Sequence, residues 1–364
     1  LSFPSDSADA TASRLIHSTH YDAVVIVSFG GPECQLDVLP FLENVLRGRN
    51  VPRERMLEVA EHYRHCGGRS PINDQNRMLL KALQAELSAH GPDIPVYWGN
   101  RNWHPMLADT VRQMADDGIR KAIAFVTSAY SSYSGCRQYR ENIAAACEPL
   151  GARAPSIDKI RVFFNHPGFV GPMADRLTRS LEHFEADVRN TIPVLFTAHS
   201  IPTSMSQSCR YEAQLTEASR LVAETAGVAN WRLVYQSRSG PPSQPWLEPD
   251  VCDAVRELAA LGNKRVAIVP IGFISDHMEV VYDLDTEAAD VCKSLGIDMV
   301  RTPTVGTDPI FIRMIRDLVA ERVWNLDTRP AMGLLPANHD VCPLDCCPAG
   351  QRPRGGSEPI AAQT

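Results

Sequence analysis

Apolar positions along the chain follow two alternating rhythms. Residues 21–29 (YDAVVIVSF) form a compact β-branched run that ends in Gly30, Gly31 and Pro32, the way a buried parallel strand meets its loop. Similar runs recur at 95–99, 121–127, 193–198, 232–236 and 265–271. Between them, residues 78–89, 106–117, 173–185, 211–226, 250–261 and 309–325 carry apolar side chains near a three-to-four spacing, which predicts helices with one covered face. Strands alternating with helices imply an α/β protein with parallel sheets flanked by helices on both faces. Ligands of such folds bind beyond the carboxyl ends of the strands, so the loops after the strands should carry the chemistry.

The alternation pauses at residues 149–160, which are rich in Pro, Gly and charge, and then restarts. This divides the chain into a first unit over 21–152 and a second over 153–325. Past Asn325 the periodicity stops, and Pro, Gly, Asp and Cys dominate a tail over 326–364. Residues 1–20 mix Ser, Asp, Ala and Thr without the basic start, apolar middle and small-residue cleavage site of a secretory signal. They read as a mobile leader on a cytoplasmic protein. The length of 364 residues accommodates two α/β domains. A formal net charge of -7 disfavours polyanion binding, so no nucleic acid partner is expected. No apolar run approaches the roughly 18 residues a spanning helix needs, and neither membrane insertion nor a stable oligomer is expected. No strand is followed by a G-x-G-x-x-G turn, and no P-loop is present, which removes dinucleotides and nucleotides as the default ligands.

Two segments stand out chemically. After the run VLFTA comes His199, an imidazole at a strand's carboxyl end that could act as a base, bind a metal or cap the next helix. After the run VAIVPIGFI comes SDHMEVVYDLDTEAAD, residues 275–290. As a helix it would place Glu279, Asp283 and Glu287 at four-residue spacing on one face. No lysine is interleaved to relieve their repulsion, and a ladder of hard oxygen donors suits divalent metal or proton traffic; a solvated face is the competing reading. Of the ten cysteines, Cys34, Cys66, Cys147, Cys209, Cys252 and Cys292 read as ordinary thiols, whereas Cys342, Cys346 and Cys347 crowd together in the tail.

Further polar loops lie at 30–33 (GGPE), 63–73 (YRHCGGRSPIN), 99–105 (GNRNWHP), 131–139 (SSYSGCRQY) and 236–242 (QSRSGPP). Taken in order with FTAHSIP, the QSRSGPP stretch with Trp246, and PIGFISDHMEVVYDLD, these segments resemble the ferrochelatase family from Tyr21 to about Val323. The resemblance implies two Rossmann-like domains flanking a porphyrin cleft, and insertion of ferrous iron with release of two protons. On it, His199 matches the family's essential histidine, as base or iron ligand, and Glu279 its essential glutamate. Asp283 and Glu287 extend from that site as a proton or metal path.

The chain is most like the coproporphyrin-type enzymes of Gram-positive, actinobacterial-type bacteria, and Arg47, Arg49, Arg53 and Arg55 would form a basic rim suited to the four propionates of coproporphyrin III. By similarity, Phe29, Arg49, Tyr63, Ser70 and Tyr139 are porphyrin contacts. Phe29 stands where many coproporphyrin-type members have an iron-binding tyrosine. Some members hold a two-iron, two-sulfur cluster, which here would use Cys136 with Cys342, Cys346 and Cys347. Adjacent Cys346 and Cys347 are awkward partners, leaving Cys147, a zinc site or simply free thiols as alternatives. A protoporphyrin IX ferrochelatase, a cobalt chelatase and a non-catalytic tetrapyrrole carrier are the competing functions.

Overall fold

The computed structural model describes residues 20–48, 51–240 and 243–349. The expected leader, Arg49 and the end of the tail lie outside them. Eight strands form two parallel four-stranded sheets. The first holds β1 (Ala23–Ser28), β2 (Val96–Asn100), β3 (Lys121–Val126) and β4 (Ser156–Lys159) in the order β2-β1-β3-β4. The second repeats that order with β5 (Val194–His199), β6 (Trp231–Gln236), β7 (Arg265–Val269) and β8 (Asp298–Arg301), as β6-β5-β7-β8. Every residue of β1 is buried, as expected of a strand covered on both faces.

Helices α1 (Val38–Leu46), α2 (Arg53–His65) and α3 (Ile72–His90) connect β1 to β2. Then α4 (Leu107–Asp116) precedes β3, and α5 (Gln138–Cys147) precedes β4. Helix α6 (Pro167–Leu181) leads into the second sheet, where α7 (Thr203–Ser206) and α8 (Tyr211–Thr225) precede β6 and α9 (Val251–Ala260) precedes β7. Helices α10 (Met278–Tyr282) and α11 (Ala289–Leu295) flank a π-helical turn over Asp283–Ala288, and α12 (Pro309–Val323) closes the fold. Among the described residues, no helix is long and apolar enough to cross a membrane.

The structure corrects the expected division at 152/153. Strand β4 pairs with β3 through Lys121↔Ser156 to Ala124↔Lys159, so the first sheet ends after residue 152. The two halves also share a core, although each sheet keeps an apolar cluster of its own. One apolar cluster contains Phe125 of β3, Phe169 of α6, Phe196 of β5 and Phe311 of α12, and Phe125 stacks on Phe163 at 5.4 Å. Polar ties also cross: Tyr130 Oη donates to Ile271 O at 2.8 Å, and Gln75 Oε1 accepts from Asp276 N at 2.9 Å. Residues 326–349 are docked against the body. Asn165 Nδ2 donates to Leu335 O at 2.6 Å, and Arg161 forms a fork on Glu321 at 2.9 Å while reaching Pro330 O.

Candidate functional site

Each sheet reverses strand order next to its first strand, β1 or β5, which opens a crevice beyond the carboxyl ends. His199 is the last residue of β5, paired with Gln236 of β6. Its Nδ1 donates to Ser200 O, while its own carbonyl accepts from Tyr211 Oη at 3.0 Å. This leaves Nε2 directed at Glu279 Oε1, 3.7 Å away. The two side chains are 31% and 49% exposed, so solute can reach them.

Glu279 lies in the first turn of α10. His277 caps that turn, its Nδ1 accepting from Glu279 N at 3.2 Å, and its ring packs edge-on to Phe273. Burial pushes the His199 imidazole down, but the Glu279 carboxylate outweighs it and raises the imidazole to about 9. Burial likewise pushes the Glu279 carboxyl up, and His199 overrides this to hold it at about 2. At neutral pH the couple is therefore imidazolium and carboxylate. Burial pushes neighbouring His277 downward.

The acidic segment was expected as one helix, and the structure interrupts it. The π-helical turn over Asp283–Ala288 inserts a widened turn, a feature often found at functional sites. Asp283 still follows Glu279 inward: Ser237 Oγ donates to its Oδ2, and Gln236 Nε2 donates both to that oxygen at 3.2 Å and to Glu279 O at 3.0 Å. Ser237 adopts a left-handed backbone, φ 61°, which is uncommon outside glycine. Burial raises the Asp283 carboxyl to about 7. Glu287 is also raised, by burial and then by Asp250. From behind, Arg301 grips Asp285 at 2.6 and 2.9 Å and reaches Asp276 at 3.2 Å, fixing both ends of the segment.

Across the crevice the first sheet supplies an aromatic wall. Phe29, 36% exposed, and Tyr63 meet Phe41 edge-on at 6.2 and 5.9 Å. Met278 and Tyr282 of the second half join this cluster, and Tyr282 stacks on His62 of α2 at 3.9 Å. Tyr63 is buried; that burial and then the Glu279 charge push its phenol upward. Tyr139 is buried beneath Arg101, whose guanidinium lies 4.6 Å from its ring and 5.7 Å from that of Phe29. Arg101 Nε is buried without a hydrogen-bond partner among the described residues. Ser70 is buried against Gly31, where an added Cβ would come 2.7 Å from Ser70 Cβ.

Nothing in the sequence marked Arg101 individually, although it lies in the polar GNRNWHP loop. His277 sits two residues before Glu279, where an N-cap belongs, but the usual capping residues are Ser, Thr, Asp and Asn.

The thiols of the tail meet the first sheet's helical layer. Cys136 is buried within a π-helical turn over Tyr133–Arg137, whose entry is capped by Ser132 Oγ accepting from Gly135 N at 2.9 Å. Cys342 and Cys347 lie beside Cys136, close enough to perturb its thiol, and Cys346 Sγ lies 3.5 Å from Cys347 Sγ. Cys347 is turned inward by a left-handed backbone, φ 52°, which separates the adjacent pair: Cys347 is 5% exposed, while Cys346 is half-buried. Arg140 Nη1 holds this loop through Cys342 O at 3.3 Å. The neighbouring Cys342 and Cys347 thiols, aided by Lys159 and Arg140, lower the Cys136 thiol, and Cys136 in turn raises theirs. Cys147 donates to Pro155 O and packs on the first sheet instead. All ten cysteines are free thiols.

Comparison with known proteins places this arrangement. The family described as Ferrochelatase matches residues 21–323. A ferrochelatase of Rhodopirellula baltica is 57% identical over 345 residues, covering 94% of this chain and 98% of that protein. A coproporphyrin III ferrochelatase of Streptomyces coelicolor is 52% identical over 357 residues, covering 92% and 95%. Among solved structures, SirB from Bacillus subtilis with Fe3+ aligns at a TM-score of 0.55 with 11% identity, over 84% of this chain and 97% of that one, a likeness of fold. With that coverage and identity, the chain belongs to the ferrochelatase family of enzymes.

Proposed function

We propose that the protein inserts ferrous iron into coproporphyrin III, and that His199 and Glu279 perform the proton and metal handling. The observation that carries this reading is the His199–Glu279 couple, 3.7 Å apart beyond the end of β5, with Tyr63 near enough to feel the Glu279 charge in an aromatic cluster whose Phe29 is exposed. A flat apolar ring suits the wall, and a dication exchanged for two pyrrole protons suits the couple. Because the imidazole is raised to about 9, His199 rests protonated and must give up that proton before it can accept one from a pyrrole nitrogen. Asp283, raised to about 7 by burial, is partly ionised at neutral pH and serves as the next acceptor. Glu287 is the outer step. Ser237 and Gln236 hold Asp283 in line, and His277 holds Glu279 at the start of its helix.

The choice of coproporphyrin rests on the rim. Arg101 covers Phe29 and Tyr139 and keeps a buried N–H without a partner among the described residues, while Arg47 just after α1 and Arg53 and Arg55 of α2 are exposed. Guanidinium groups bind carboxylates with paired geometry, and coproporphyrin III brings four. The similarity to coproporphyrin III ferrochelatases of Streptomyces supports the same choice. The deciding experiment is anaerobic turnover with ferrous iron, comparing coproporphyrin III with protoporphyrin IX. Faster metallation of coproporphyrin III is expected, and a preference for protoporphyrin IX refutes the rim argument.

The tail thiols fit a two-iron, two-sulfur cluster held by Cys136, Cys342, Cys346 and Cys347. Soft thiolates are the donors such clusters use, and the four sulfurs converge from two distant parts of the chain with one of them readily ionised. When bound, the cluster supplies a one-electron redox centre. The four cysteines bring the tail against the π-helical turn that precedes α5. Iron and acid-labile sulfide in the anaerobically purified chain, lost together in Cys136→Ala, test the assignment.

A further inference from the structure

The thiol site contains more donors than a two-iron cluster requires. Such a cluster takes four protein ligands, two per iron, and an imidazole can replace a thiolate on one of them. Here four thiols gather, and a fifth donor stands beside them: the ligand atoms of His339, Cys342 and Cys346 all lie within 4.8 Å of one another. The five divide by depth. Cys136 and Cys347 face inward at 3% and 5% exposure, while His339 is exposed and Cys342 and Cys346 are half-buried. Cys346 is thus the sulfur of the adjacent pair Cys346 and Cys347 that solvent reaches, and accessible cysteines are the ones lost to oxidants. The donor next to it is His339, three residues before Cys342. Arg329 pairs with Asp340 at 2.7 Å, anchoring the backbone beside His339 to the body of the fold.

Resting on the cluster reading above, we propose that His339 is a fifth donor of this site, an imidazole that replaces Cys346 on the outer metal whenever Cys346 cannot ligate. Four full-length chains test it: wild type, His339→Ala, Cys346→Ala and the double variant, each reconstituted anaerobically with ferrous iron and sulfide. Wild type and His339→Ala load equally. Cys346→Ala keeps most of the iron and sulfide, but its reduced cluster shows a shifted electron paramagnetic resonance spectrum and a raised midpoint potential, as imidazole ligation predicts. The double variant loses at least about tenfold in loading. A Cys346→Ala chain as empty as the double variant, or one whose spectrum does not depend on His339, overturns the proposal. Thermal unfolding of the metal-free chains separates ligand loss from misfolding. If wild type takes up neither iron nor sulfide, the cluster reading fails. Cobalt(II) titration of the same chains then decides on His339, whose removal from Cys346→Ala must weaken cobalt binding by a similar factor.

Discussion

Replacing Glu279 with Gln keeps the shape of the site and removes one charge. At 3.7 Å, opposite unit charges attract by about 1 kcal/mol in bulk water and about 4.5 kcal/mol at an effective dielectric of about 20. At about 1.4 kcal/mol per pKa unit this spans roughly 0.8 to 3.3 units. Because the Glu279 side chain is 49% exposed, solvent screening places the effect in the lower half, about 1 to 2 units. His199, held at about 9 in the parent, should therefore titrate near 7 to 8 in Glu279→Gln. The same couple makes stability depend on pH. A histidine raised from 6.5 to about 9 contributes stability that is complete below 6.5 and lost as pH rises through 9. A glutamate lowered from 4.5 to about 2 contributes stability that is complete above 4.5 and lost as pH falls through 2. The pair is thus at full strength between pH 4.5 and 6.5, where the variant should be less stable by about 1.4 to 2.8 kcal/mol, with the deficit shrinking above pH 9. Histidine-selective NMR titration measures the first quantity, and urea unfolding at pH 6 and pH 10 the second. An unchanged His199 titration in the variant would refute the coupling and the resting imidazolium that follows from it.

Asp283→Asn should remove the acid limb that the parent shows near pH 7 in kcat/KM, because Asp283 must be ionised to accept a proton. Since burial raises this carboxyl from 3.8 to about 7, its ionised form costs stability above pH 7, so the same variant should melt higher at pH 8. Glu321→Ala strands Arg161, which is 0% exposed, and should destabilise the fold by about 3 to 5 kcal/mol in urea titration; replacing both partners with apolar residues should recover most of that loss. Arg101→Met should raise KM for coproporphyrin III more than for protoporphyrin IX in parallel steady-state assays, and an equal rise for both would assign Arg101 to packing on Phe29 and Tyr139.

How much of this could be read in advance depended on whether a feature is local. Strands β1, β3, β5 and β7 are legible because they are central and buried on both faces, which demands uninterrupted apolar runs. Strands β4 and β8 are outermost and half-exposed, and SIDK and DMVR carry no such run. Helix α2 escapes notice for a similar reason, burying only Met56 and Tyr63 along thirteen residues. His199 and the carboxylate ladder are legible because strand ends and four-residue spacing are visible in one dimension. The interruption of the ladder by a π-helical turn is not, and the contacts made there, Arg301 on Asp285 and Ser237 on Asp283, come from distant segments. Arg101 acquires its place only when Phe29 and Tyr139 are brought to it by β1 and α5. Cys136 could be matched to the tail thiols by resemblance alone, and packing supplies the physical reason: the tail is strapped past α5 by Arg140.

The two sheets have one topology but divide the labour. Both reverse order beside their first strand, and in both the strand on the far side of the reversal, β3 or β7, leads into a segment containing a π-helical turn. In the first half that turn carries Cys136 and, just beyond it, Tyr139; in the second it carries Asp283 and Glu287. The repeated architecture therefore offers two equivalent crevices, and the side chains make them different, one aromatic with a guanidinium above it and one imidazole and carboxylate. On the proposed function, a planar ring with acidic edges needs this asymmetry. The wall that binds its face must be apolar to displace water, and charges placed there would be buried at a cost of several kcal/mol each. The opposite wall must stay solvated enough to deliver a dication and carry away two protons, which the 49% exposure of Glu279 allows. Placing the two tasks on sheets joined by one shared apolar cluster, rather than on two independent domains, would hold the walls at a fixed spacing if Asp283 and Glu287 change protonation as proposed.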